Sequence, residues 1–173
     1  MKSSVAVVDT ESLHLTQDDK HRSCTGMWLN DKLVDAVNSI FANQLHCDVQ
    51  QSSLLLQVPA GLDRVDRRFQ ILHDNAHWVA VFCDDDKVMF ANSMSDNISP
   101  FVVQQLTQLY ARLVTPKWLP VHLVLSTQQS NSSDCTDFAA AFFFQWALLG
   151  TDTSLNINFD LQLMRMCILN NVY

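Results

Sequence analysis

Cys135 closes the octapeptide Gln128-Gln129-Ser130-Asn131-Ser132-Ser133-Asp134-Cys135, and an apolar run from Phe138 to Leu149 follows. A polar segment running into apolar residues is how a buried helix begins. In its first turn, unpaired backbone N–H groups and the positive end of the helix dipole stabilise negative charge, so the Cys135 thiol is expected to have a lowered pKa and enhanced nucleophilicity. A thiol nucleophile needs a base and a group to orient that base. His77 opens His77-Trp78-Val79-Ala80-Val81-Phe82 and Asn92 ends Val88-Met89-Phe90-Ala91-Asn92, each at the edge of a segment that reads as a strand. The chemistry implied is that of a cysteine protease. A lone cysteine beside an apolar helix is usually a small buried hydrophobe, and Cys24, Cys47, Cys83 and Cys167 are read that way. The ordered partners set Cys135 apart, although Asn92 also suits a turn at the end of its strand.

Those residues have to be positioned by something. With 173 residues, 48% of them apolar, the chain is long enough for one domain with a substantial core and too short for two. Three glycines and four prolines leave little room for low-complexity linkers. The order is α+β, and the expected architecture is a mixed central sheet flanked by helices. Residues 1–22 read as a polar N-terminal arm, with a short strand at Val5 to Val8 and a turn at Ser12 to Asp19. Apolar residues at helical spacing (Leu33, Val34, Val37, Ile40, Phe41, Leu45) predict a first helix, with Asn30 or Asp31 as its cap. Strands are expected at Leu54 to Val58 and Phe69 to Leu72, then a hairpin pairing His77–Cys83 with Lys87–Ala91 across Asp84-Asp85-Asp86. Ser99-Pro100 opens a second helix that turns Val102, Val103, Leu106, Leu109, Tyr110 and Leu113 to one face. A strand at Val121 to Leu125, the helix that ends at Gly150 and a last helix over Phe159 to Leu169 complete the order.

The net charge of −7 and the lack of any basic cluster beyond Arg64, Arg67 and Arg68, read as a solvated loop, argue against nucleic-acid binding. No apolar run reaches the ~18 residues of a membrane span, and no signal-peptide pattern opens the chain. Five cysteines without a CxxC pair fit reduced thiols in a cytoplasmic or nuclear compartment. His73 and His77 are four apart, but outside any HExxH helix, so neither a metal nor another cofactor is expected. A monomer is expected.

Four motifs now stand in order: Trp28-Leu29-Asn30-Asp31, His77-Trp78 on a strand, Asn92-Ser93-Met94 on the next, and Gln129 to Cys135 before an apolar helix. This order resembles the ubiquitin-like-protein proteases, the sentrin/SUMO-specific and adenain-like cysteine peptidases, over nearly the whole chain from Trp28. The resemblance implies a papain-like core with Cys135 as nucleophile at a buried helix N-terminus, His77 as general base, Asn92 as orienting residue and Gln129 as an oxyanion-hole donor. It implies that Trp28 and Trp78 wall a channel for the glycine-glycine tail of a ubiquitin-like partner (SUMO, ubiquitin or a relative), with Asp31 beside it. The implied activity is deconjugation or maturation of that modifier. Within the same clan, a viral or mobile-element processing endopeptidase and an acetyltransferase are the alternatives, and a catalytically weak binding module is a third. Two departures matter: most relatives have Asp where Asn92 stands, with Asp96 a nearby carboxylate, and Gly where Thr136 is expected to crowd the mouth of the site.

Overall fold

The computed structural model describes residues 16–47, 49, 69–83, 86–95, 97–115, 118–124, 128–150 and 159–172. The strands read at Val5 to Val8 and Leu54 to Val58, the loop arginines and Asp96 lie outside that set. A four-stranded sheet runs in the order β1 (Phe69–His73), β2 (Trp78–Cys83), β3 (Val88–Ala91) and β4 (Val121–Val124). The first three strands form an antiparallel meander, and β4 lies parallel to β3 after the chain has passed through α3 (Pro100–Leu109). This is the expected mixed sheet. The remaining helices are α1 (Gln17–Thr25), α2 (Asp31–Gln44), α4 (Cys135–Leu149) and α5 (Leu161–Val172).

Strand periodicity sorts the core into two layers. Phe69, Ile71, Trp78, Ala80, Phe82, Met89 and Ala91 face a cluster with α2, α4 and α5, while the alternate residues Leu72, Val79, Val81, Cys83, Val88 and Phe90 face α3. Both faces are covered, so the central strands are apolar throughout rather than alternating. Helix α4 is the central element: it lies against β2, is buried nearly all round, and wedges Phe143 between Phe41 at 5.2 Å and Phe69 at 5.3 Å. A helix apolar on every side has to be enclosed.

Some expectations are corrected. Residues 17–25 are a helix, not part of an arm, because Thr16 and Asp19 form a reciprocal capping box that starts it. Its strongly polar composition hid it from a search for apolar periodicity, yet Asp19 and Ser23 are buried. Asn30 caps α2 by accepting from the Leu33 N–H, which leaves Asp31 as an exposed first-turn acid. Val103 lies 48% exposed, off the buried stripe of α3.

Candidate active site

Topology brings the four motifs to one end of the sheet. His77 precedes β2 and Asn92 follows β3, so antiparallel pairing places them together. The parallel β3–β4 pair, with Ala91 opposite Val124, delivers the chain leaving β4 to the same end. There the Gln129 backbone N–H donates to the Ser93 carbonyl at 2.7 Å. Cys135 is the first residue of α4 and is 2% exposed.

The imidazole is fixed in one tautomer. The Met94 N–H donates to Asn92 Oδ1 at 2.9 Å, so the atom facing His77 Nε2 at 2.8 Å is the amide oxygen. An oxygen acceptor requires the proton on Nε2 and leaves the lone pair on Nδ1. That Nδ1 is buried and has no hydrogen-bond partner among the described residues. Cys135 takes a backbone hydrogen bond from Trp78, the residue next to His77, and another from Thr136. The site therefore sets a free basic nitrogen one residue from the backbone group that holds the thiol.

Electrostatically the pair is neutral, which corrects the expected lowered thiol pKa. Burial pushes the Cys135 thiol up, against the backbone hydrogen bonds that favour its thiolate. Desolvation wins because the helix end is closed over rather than open to water. Burial likewise holds His77 below the usual imidazole range, partly opposed by its Asn92 bond and by the charge of Asp74. A depressed imidazole is unprotonated at neutral pH and able to take a proton.

The other predicted residues are placed as follows. Gln129 Oε1 accepts from Ser93 Oγ at 2.6 Å, and its Nε2 donates to the Asn131 carbonyl. An amide nitrogen carries two protons, so one donor remains. Trp78 is buried and meets the His73 ring edge-on at 4.8 Å, so it backs the site more than it walls an open channel. Trp28 is 44% exposed, on the connection between α1 and α2. Asp31 lies close enough to His73 to raise that imidazole's pKa against the larger lowering by burial. Thr136 is fully buried and does not crowd a mouth.

No family model matches the sequence, and no curated protein matches it. Solved structures do. The SUMO protease Ulp1, with its catalytic cysteine oxidised to a sulfenic acid, superposes with a TM-score of 0.74 at 17% identity, over 91% of this chain and 83% of that one. The fold is that of Ulp1. The Ulp1 protease domain in complex with Smt3, the yeast ortholog of SUMO, gives 0.68 at 16% identity over 91% and 82% of the two chains. The Xanthomonas campestris effector XopD bound to ubiquitin gives 0.59 at 19% identity over 83% and 91%. On this Ulp1 fold, sequence reasoning missed several participants. Ser93 fixes the Gln129 amide, and Asp74, anchored by Ser99 Oγ at 2.7 Å, puts a carboxylate near His77. It also missed Arg165, which reaches the first turn of α4. The one legible signal was Asp137, an acid two residues past Cys135 at the entrance to an apolar run.

Proposed function

We propose that this protein is a cysteine-type peptidase that cleaves after the C-terminal Gly-Gly of a ubiquitin-like modifier, SUMO, ubiquitin or a relative, deconjugating or maturing it. The observation that carries the reading is the His77 Nε2 to Asn92 Oδ1 bond at 2.8 Å, which leaves Nδ1 as a buried free base beside the residue that holds the Cys135 thiol. The Ulp1 fold supports the substrate class. His77 Nδ1 takes the Cys135 proton as sulfur attacks the carbonyl of the terminal glycine. The oxyanion is held by the remaining Gln129 amide donor and the Cys135 backbone N–H. His77 returns the proton to the leaving amine, and water then releases the thioester with His77 again as base. Trp28 flanks the tail while the buried Trp78 backs the site, and no cofactor takes part.

A panel of ubiquitin-like proteins bearing C-terminal thiol-reactive warheads tests the reading, with the mass shift of wild type compared against Cys135→Ala. A Cys135-dependent adduct with one or more members is expected. A folded wild type that reacts with none would overturn it. A weak or non-catalytic binder of the same modifiers is the second reading, favoured by the raised thiol and the neutral Asn92. Tight association with an unmodified modifier, without turnover or adduct, would identify it.

A further inference from the structure

We propose that Arg165 is a positioning residue that keeps the Cys135 thiol reactive by drawing the Asp134 carboxylate away from the start of α4. The inference rests on Cys135 as nucleophile but not on the identity of the substrate. Arg165 lies on α5, 8% exposed, with Nη2 at 3.0 Å from Asp134 Oδ1 and an ion pair to Asp137 Oδ2. These acids bracket Cys135, one before it and one two residues after. Nη1 lies 3.4 Å from the Arg22 carbonyl, 3.5 Å from that of Ser23 and 3.4 Å from that of Met27, the residue before Trp28. One guanidinium fork thus joins the nucleophile's helix to the connection that carries Trp28, a geometry that a lysine ammonium does not reproduce.

Asp134 is the N-cap residue of α4, a position where an aspartate ordinarily accepts from the second or third backbone N–H of the helix. Here its side chain makes no capping bond. It accepts instead from Arg165, from Asn131 Nδ2 at 2.7 Å and, more weakly, from Ser133 Oγ at 3.4 Å. The Thr136 N–H in the first turn is left to serve the Cys135 sulfur. Released from Arg165, the carboxylate would turn onto those N–H groups, taking a donor from the thiolate and placing a negative charge beside it. The titratable group whose charge reaches the thiol is Asp137 from its own helix, and Asp137 is faced by Arg165 from α5 and by Asp134, while His77 precedes Trp78, the strand residue that holds the sulfur.

The test is the rate of Cys135 alkylation by iodoacetamide in the full chain, resolved by peptide mass because Cys24, Cys47, Cys83 and Cys167 are also free thiols, across the pH range on both sides of neutrality, alongside thermal unfolding. Arg165→Lys keeps the charge and loses the fork. Arg165→Met with Asp137→Asn, compared with Asp137→Asn alone because the Asp137 charge itself raises the thiol, removes a buried charge pair together and so avoids an unpaired buried acid. Both are expected to slow alkylation at neutral pH by on the order of tenfold, a displacement of the profile upward by about one pH unit, and Asp134→Ala added to either is expected to restore the rate. A purely structural role would lower the melting temperature without moving the profile of the folded protein. Wild-type profiles in both folded variants, or no rescue by Asp134→Ala, would overturn the proposal. A wild-type Cys135 that fails to react at any pH would overturn the nucleophile reading itself, and this proposal with it.

Discussion

The two faces of the sheet solve different problems. The face toward α3 is packed by Leu72, Val79, Val81, Val88, Phe90, Val102, Leu106, Leu109 and Tyr110, with the buried amides Gln70 and Gln105 among them and no buried charge among the described residues. The side toward α4 and α5 buries Cys135, Asp137 and Arg165 within largely apolar packing, with His77 and Asn92 at the sheet's end beside it. Buried polar and charged groups cost free energy unless paired, so this second region gives up stability for a set of fixed directions. One face of the sheet stabilises; the other carries the candidate site at its end.

If that division holds, changes on the reactive side should alter chemistry more than stability. His77→Ala is expected to reduce probe labelling by about 10²–10⁴-fold with a small change in melting temperature. Equal labelling by a folded variant would break the comparison. Phe90→Ala, on the α3 face at 1% exposure, is expected to cost about 3–5 kcal/mol in denaturant unfolding, while labelling per folded molecule stays within about twofold.

Asp137 sharpens the comparison through pH. Burial, the largest influence, outweighs the Arg165 guanidinium and raises this carboxyl from its ordinary 3.8 to about 7. The Arg165 guanidinium opposes the rise by its charge and by hydrogen bonding, as does a backbone hydrogen bond, but burial prevails. The folded chain therefore holds a proton that the unfolded chain has released. The cost of ionising it is absent below about pH 4 and builds as pH rises to about 7. Asp137→Asn removes that component, so the stability difference between variant and wild type should shift in favour of the variant across that window. Urea unfolding at several pH values measures it, and a pH-independent difference would mean that Asp137 does not titrate there.

The smallest effect concerns the hairpin that presents His77. Ala76 sits at φ 72°, in the left-handed region, where a side chain costs about 1–2 kcal/mol relative to right-handed backbone. Its N–H donates to His73 Nε2 at 3.2 Å, holding the turn that leads into His77. Ala76→Gly is expected to add about 1 kcal/mol to stability, with any change in labelling showing how far that strain positions the imidazole.

Much of this was legible in the residues. The strand at Trp78–Cys83, its hairpin partner, the Ser99-Pro100 helix start and the helix ending at Gly150 follow from period, caps and turn chemistry, which act within a few residues of themselves. Helix α1 was missed because its start lies in a polar capping box and not in an apolar stripe. His77, Asn92 and Cys135 were readable as edge residues in advance, since each stands at an element boundary that the pattern marks. The electrical state of the thiol was not, because desolvation depends on what closes over the helix end.

The sequence by itself determined which elements form and which residues stand at their ends, because helix and strand periods, caps and turns are local properties. Only the tertiary structure decided that Asn92 meets His77 Nε2 and so sets its tautomer, that Ser93 holds Gln129, and that Arg165, thirty residues beyond Cys135, ties the start of its helix. Those contacts join segments distant in the chain, and their directions and burial are set only when the sheet and its helices close together.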